Sequence, residues 1–295
     1  MSATFELRGD LRVNRIGYGT MRLAAAPEPG FDPGAGHIWR APENREAAAG
    51  LLRRAVELGV NLIDTADSYA LGENEELVAQ ALHPYREDVV IATKVGVLRP
   101  SPTEWVPLGH PAYLRQQTEL SLRRLKLDRI DLLQLHRIDP AVPLADQIGA
   151  PKQLVDEGKA RHIGLSEATV DQLREAREIA PIASMQNLYN LGDRHHEDVV
   201  DYAAAHGIAF IPFFPVAMGA HAAAEGPLAK VAAELGATPA QTSLAWLLHR
   251  SPTLLPIPGT TSAAHLAENV AAGAVQLSDE QFARLSAIAP VGVPA

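Results

Sequence analysis

The stretch Asn61-Leu62-Ile63-Asp64-Thr65-Ala66-Asp67-Ser68-Tyr69 decides how the chain folds. It is a short apolar run ending in a carboxylate, with a tyrosine five residues beyond. A strand covered by helices on both faces reads as near-continuous hydrophobics, not as an alternation. An Asp at the end of such a strand has left the core, and its charge needs a partner. Asp64 and Tyr69 therefore read as half of a site whose other half lies downstream.

Outward from this stretch the same unit recurs. Helical patterns at 43–58, 73–82, 111–125, 144–157, 170–179 and 197–206 alternate with apolar runs at 89–93, 130–136, 160–165, 184–187 and 208–212. Helices at 228–235 and 239–248, a strand at 253–257 and a helix at 262–271 complete the series, followed by a trailing helix at 278–288 with Ser278 as N-cap. Gly59, Gly158 and Gly207 each fit the helix-stop signal before a strand. On the N-terminal side, 16–20 is a glycine-bearing strand, and the runs at 5–7 and 11–13 form a hairpin across Gly9-Asp10. Roughly eight strand–helix units predict a (β/α)8 TIM barrel with its site at the C-terminal strand ends. A doubly wound sheet remains the alternative, because alternation alone does not decide closure. No composition break marks a linker, so one domain over 1–295 is expected.

Bulk properties narrow the chemistry. Apolar residues at 47% and charged residues at 21% of 295 are ordinary globular values. The absence of cysteine removes disulfides, thiolate metal sites and cysteine nucleophiles. A reducing cytoplasm is the expected compartment. Met1-Ser2-Ala3-Thr4-Phe5-Glu6 lacks a basic region followed by an apolar core, and no apolar run approaches the ~20 residues that span a bilayer. A formal charge of −9 speaks against nucleic acid or an acidic membrane as partner. A small-molecule ligand is expected, and a monomer.

The strand ends form a set. Lys94 follows Val89-Val90-Ile91-Ala92-Thr93, and His136 closes Ile130-Asp131-Leu132-Leu133-Gln134-Leu135. Each has an ordinary reading: a Lys after a strand is commonly solvated, a strand-end His is often structural, and an Asp there often caps the next turn. Together, at matching ends of adjacent strands, Asp64, Tyr69, Lys94 and His136 converge on one rim. The chemistry they suit is proton donation to a carbonyl. A phenol with pKa near ~10 is a poor acid at neutral pH, and an adjacent ammonium lowers that value. Asp64 holds Lys94 charged, while a neutral His136 orients the substrate oxygen. No metal cluster or nucleophile accompanies them, so a bound cofactor must supply electrons.

Asn-Leu-Ile-Asp-Thr-Ala-Asp-Ser-Tyr at 61–69, Ile-Ala-Thr-Lys at 91–94 and Leu-Leu-Gln-Leu-His at 132–136 resemble the Asp/Tyr/Lys/His tetrad of the aldo-keto reductases. The resemblance runs through essentially the whole chain. It implies a barrel that reduces an aldehyde or ketone with NADPH, Tyr69 being the general acid. By the same resemblance, Ile163-Gly164-Leu165-Ser166 and Met185-Gln186-Asn187 place Ser166 and Gln186 on the nicotinamide carboxamide. Glu167 stands where many members have Asn. Phe213, in Ile211-Pro212-Phe213-Phe214-Pro215, takes the position that stacks on the nicotinamide ring; core packing is its ordinary reading. The segment 257–269 resembles the adenosine-phosphate site, which gives Gly259, Thr260, His265, Glu268 and Asn269 at a helix N-terminus. Many members carry Lys and Arg where this chain has Gly259 and His265, so discrimination against NADH is expected to be weak.

Other constellations are missing. No Gly-x-Gly-x-x-Gly follows a strand, no Gly-Lys-Ser/Thr occurs, and no Tyr has Lys four positions later. Gly164-Leu165-Ser166-Glu167-Ala168 lacks the second Gly of a nucleophile elbow. His195-His196-Glu197-Asp198 is a helix entry, not a metal site, because adjacent residues point in different directions; no metal is expected. Two further readings stand beside the reductase: a Schiff-base lyase using Lys94, and a cofactor-binding regulatory subunit with little turnover. Specificity is expected in the loops 24–42, 95–110 and 215–226, with Trp39, Trp105 and Phe214 as flat walls. Within the family, the segments 14–21, 211–215 and 257–260 resemble a bacterial branch that includes pyridoxal reductases, which implies a pyridoxal-like aromatic aldehyde.

Overall fold

The computed structural model describes residues 3–28, 38–216 and 226–289. The parts of the expected pocket loops at 29–37, His37 included, and at 217–225 lie outside the described residues. Strands Thr4–Leu7 (β1) and Leu11–Asn14 (β2) pair antiparallel in the expected hairpin. The main sheet begins with Tyr18–Gly19 (β3), Leu62–Asp64 (β4) and Val90–Val95 (β5). A small antiparallel pair, Val97–Leu98 (β6) and Val106–Pro107 (β7), rises from the end of β5. The sheet continues with Ile130–Leu135 (β8), Ala160–Ser166 (β9), Ile182–Gln186 (β10) and Ala209–Phe210 (β11). Its order is β3-β4-β5-β8-β9-β10-β11, and every pairing is parallel.

Residues 253–257, expected as the eighth strand, form only a single bridge, Leu254 to Phe210. Pro256 and Pro258 have no N–H to give a ladder, so the segment cannot pair as a regular strand. It still ties both edges of the sheet. Phe210 N donates to Thr253 O (2.9 Å) and Leu255 N to Phe210 O (2.8 Å), while Gly17 N donates to Pro256 O (2.9 Å). The buried Arg15 guanidinium adds bonds to the carbonyls of Leu248 (3.0 Å) and Leu254 (3.2 Å). The curled sheet is thereby closed into a barrel of the TIM type. Glycine is required at the seam: a Cβ on Gly17 would lie 2.9 Å from Ile257 Cγ2, and one on Gly19 would lie 2.9 Å from Ile257 O.

The helices cover the outside: Arg45–Glu57 (α1), Glu73–Leu82 (α2), Pro111–Leu125 (α3), Leu144–Asp156 (α4), Val170–Ile179 (α5) and Glu197–Ala205 (α6). Pro227–Leu235 (α7), Pro239–Arg250 (α8), Ala263–Ala271 (α9) and Asp279–Ser286 (α10) follow. Their starts are written in the sequence. Asn44 accepts from Ala47 N, and Thr169, Thr238 and Ser278 each complete a capping box with a Gln three residues on. Gly59, Gly158 and Gly207, read as helix stops, all have positive φ.

Inside the barrel, Leu62, Val90, Leu132 and Ile211 form one buried cluster with Leu7, Leu11 and Val13 of the hairpin. Full burial of such side chains contributes roughly 1.5–3 kcal/mol each. Asn61, just before β4, fixes the hairpin beneath the strands, accepting from Asn14 N (2.7 Å) and donating to Arg12 O (2.8 Å). With the N-terminal end plugged, the C-terminal strand ends are the open face. No described helix is long and apolar enough to cross a membrane.

Candidate active site

Lys94 lies within β5 and is completely buried, so its ammonium must be neutralised where it stands. Asp64, the last residue of β4, does so: Nζ is 2.5 Å from Asp64 Oδ1. The remaining ammonium protons go to Thr65 O (2.9 Å) and the Tyr69 hydroxyl (3.3 Å). Asp64 Oδ2 accepts from Gln186 Nε2 (2.8 Å) and Gln134 Nε2 (3.1 Å). Burial opposes the charge on Lys94, but Asp64 and Tyr69 outweigh it and hold the amine above its ordinary value. A lysine held that firmly as ammonium is a poor Schiff-base nucleophile.

Tyr69 begins a turn in which Ala70 and Leu71 adopt φ of 48° and 54°. Such angles are uncommon outside glycine and asparagine, and they mark a chain bent to fix its neighbour. The expectation that the ammonium lowers the tyrosine's pKa needs correction. Lys94 does pull downward, but burial is the larger effect, and the phenol lies above 10. Tyr69 is thus kept protonated, with an ammonium beside the oxygen to stabilise charge that develops when the proton leaves.

His136 follows β8, and its N–H is tied to Val95 O (2.8 Å). Its Nδ1 lies 3.2 Å from Ser68 Oγ, and among the described residues Nε2 has no hydrogen-bond partner. Burial first, then the charges of Arg137, Lys94 and Arg99, push the imidazole well below 6.5. It is neutral, as the sequence reading requires. The Tyr69 ring meets it edge-on at 5.9 Å, and Trp105 does so at 6.1 Å. All four residues of the expected tetrad therefore converge.

Asp64, Tyr69 and Gln186 open onto a groove of about 620 Å³ lined also by Phe213, Phe214, Gly259, Thr260, His265, Glu268 and Asn269. This is within the usual range for a small-molecule site. Ser166 is buried, and its Oγ accepts from Arg137 Nη1 (3.2 Å). Glu167 has φ of 52°, and its carboxylate accepts from Leu188 N (2.9 Å). Phe213 and Phe214 pack edge-to-face at 5.5 Å. Trp39 and Trp105 are joined by Arg99, whose guanidinium lies 5.5 Å from the first ring and 3.7 Å from the second. Gly259 approaches β3 so closely that a Cβ would meet Gly19 O at 2.6 Å. Ser262 caps α9 beside it, leaving first-turn N–H groups of the kind that bind anions. Arg22 and His265 are the basic residues among the lining groups.

Sequence reading missed Ser68, Gln134, Arg99, Arg137 and Arg22. Gln134 carried a signal, as the one polar side chain amid Leu132, Leu133 and Leu135.

A buried acid–base cluster on the open rim of a parallel barrel defines an enzyme built for proton transfer next to a bound small molecule. The profile of the aldo/keto reductase family matches residues 15–290, and the chain belongs to that family. It is 42% identical to pyridoxine 4-dehydrogenase of Escherichia coli strain K12 over 293 residues, covering 97% of this chain and 98% of that one. It is 47% identical over 277 residues to an uncharacterized oxidoreductase of Schizosaccharomyces pombe, covering 94% and 87%. Among solved structures, an aldo/keto reductase of Klebsiella pneumoniae in complex with NADP and acetate superposes with a TM-score of 0.80 at 28% identity, covering 98% and 96%.

Proposed function

We propose that this protein reduces an aromatic aldehyde of the pyridoxal type to its alcohol with NADPH, NADH being a usable substitute. The observation that carries the reading is the buried Lys94 ammonium placed between Asp64 (2.5 Å) and the Tyr69 hydroxyl (3.3 Å), both of which line the groove. NADPH, when bound, supplies the hydride to the carbonyl carbon. Tyr69 O–H donates its proton to the carbonyl oxygen, and Lys94 stabilises the phenolate left behind until solvent reprotonates it. His136 Nε2 orients the same oxygen. Asp64, steadied by Gln134 and Gln186, keeps Lys94 charged and aimed.

The cofactor fits the chemistry of the groove. Ser166, Gln186 and Phe213 would hold the nicotinamide end, and Gly259, Thr260, His265, Glu268 and Asn269 the adenosine phosphate at the α9 N-terminus. A related structure holds NADP, and a relative spanning nearly the whole chain is a pyridoxine 4-dehydrogenase. Trp105 supplies a flat wall beside His136 for an aromatic ring. The test is loss of NADPH absorbance with pyridoxal, with benzaldehyde and with an aliphatic aldehyde. Turnover of all, fastest with pyridoxal, is expected; turnover of the others without pyridoxal overturns the substrate, and no turnover with any overturns the reductase.

A further inference from the structure

Arg137 directly follows His136 and is partly buried at the end of β8. A single nitrogen makes both of its hydrogen bonds: Nη1 donates to His136 O (2.8 Å) and to Ser166 Oγ (3.2 Å). Nε and Nη2 donate to no described residue, and no described carboxylate pairs with this guanidinium. Nε and Nη2 form the edge of a guanidinium that receives a carboxylate or phosphate with two parallel bonds. By contrast the Arg124 guanidinium is committed to the Glu75 carboxylate at 2.6 Å.

The surroundings reinforce the local charge. The carboxylate within the tetrad, Asp64, is already neutralised by Lys94. The Arg99 guanidinium stacks on Trp105, which in turn touches His136, and gives its hydrogen bonds to the carbonyls of Ile38, Pro102 and Glu104. Both Arg99 and Arg137 act on His136 to disfavour its protonation. Two guanidinium charges, those of Arg99 and Arg137, therefore act on the part of the rim that His136 occupies.

From this, and resting on the reductase reading above, we infer that the Nε/Nη2 edge of Arg137 receives an anionic oxygen group of the carbonyl substrate. The substrate class is an aldehyde that carries a carboxylate, a phosphate or an ionised phenol near the reacting carbon. Arg137 is then a specificity-determining residue. Its Nη1 bond to Ser166 also leaves the Ser166 hydroxyl free to donate, so the same side chain links the substrate to the residue expected on the nicotinamide.

Binding of product-like alcohols tests this without turnover. Dissociation constants for benzyl alcohol and its 2-, 3- and 4-carboxy derivatives are measured by tryptophan fluorescence, with NADPH present so that no hydride can pass, on the wild type, Arg137→Gln and Arg137→Lys. At least one carboxy isomer is expected to bind the wild type about tenfold or more tighter than benzyl alcohol. Arg137→Gln should erase that ratio and Arg137→Lys should keep part of it. The inference is overturned if no isomer gains affinity in the wild type, or if Arg137→Gln leaves the ratio unchanged by weakening charged and neutral alcohols alike. Reduction of uncharged benzaldehyde by the wild type, run in parallel, reports on the reductase reading separately.

Discussion

Lys94 Nζ lies 3.3 Å from the Tyr69 hydroxyl oxygen, with neither side chain more than 6% exposed to solvent. In water such a contact would be worth little, but buried charges are screened far less. Everything else at the rim serves to hold this contact. Asp64 keeps the ammonium charged, two glutamines keep Asp64 in place, and the left-handed turn at Ala70-Leu71 fixes the tyrosine.

Two neighbouring aspartates should respond oppositely to the same change. Asp64→Asn leaves the buried Lys94 charge without its counter-ion, and such breaks cost about 3–5 kcal/mol. Asp67 is different: burial, and then the Glu75 charge, push its carboxyl well above 3.8, and neither oxygen has a hydrogen-bond partner among the described residues. A carboxyl already protonated is closely matched by an amide, so Asp67→Asn should change stability by less than about 1 kcal/mol below pH 3.8, where the unfolded chain is protonated as well, and should stabilise the protein at neutral pH. Because folded Asp67 keeps a proton that the unfolded chain releases above 3.8, wild-type stability falls as pH rises through that window, and Asp67→Asn removes this component. Urea unfolding at several pH values measures both effects.

His136 gives the opposite slope. Its folded pKa is depressed below 6.5, so the unfolded imidazole takes up a proton that the folded one refuses. The contribution is fully present above about 6.5 and is lost as pH falls below that value toward the folded pKa. His136→Gln should therefore flatten the acid side of the stability profile, measured by urea midpoints between neutrality and mild acid.

The end of the groove proposed to take the adenosine phosphate offers His265 and Arg22, where a strict NADPH enzyme would place more fixed positive charge. The ratio of kcat/KM for NADPH over NADH should stay below about tenfold, and His265→Arg should raise it by about tenfold, the scale of one charge-assisted hydrogen bond. A strong NADH preference in the wild type would contradict the assignment. Steady-state kinetics with both cofactors decides.

Trp105 meets His136 edge-on and is held from behind by Arg99 at 3.7 Å. Trp105→Ala should lower kcat/KM for an aromatic aldehyde about tenfold relative to an aliphatic one, since aromatic contacts add stabilisation beyond buried area. Equal losses on both substrates would remove Trp105 from the substrate wall.

The four converging positions were legible because Asp64, Lys94 and His136 each lie within one residue of the C-terminal end of a buried apolar strand, and Tyr69 in the turn after the first of them. The contacts that organise them were not. Gln134 and Gln186 reach one carboxylate oxygen from different strands, and Ser68 reaches His136 across 68 residues of chain; no local pattern encodes such meetings. The pair β6–β7 was hidden because Pro100, Pro102 and Pro107 read as loop, while each strand has two residues. The eighth strand was overread: Thr253-Leu254-Leu255-Pro256-Ile257 has the right apolar run, but Pro256 within it and Pro258 just after it limit it to a seam.

The central claim is that Tyr69 protonates the carbonyl oxygen while Lys94 stabilises what remains. It is tested most directly by Tyr69→Phe, which keeps the ring and removes only the proton donor. Single-turnover oxidation of bound NADPH by the aldehyde should slow by about 10²–10⁴-fold, the usual contribution of a positioned acid, while NADPH affinity stays within about twofold. Retention of the wild-type single-turnover rate by Tyr69→Phe would contradict the account and assign the proton to another group.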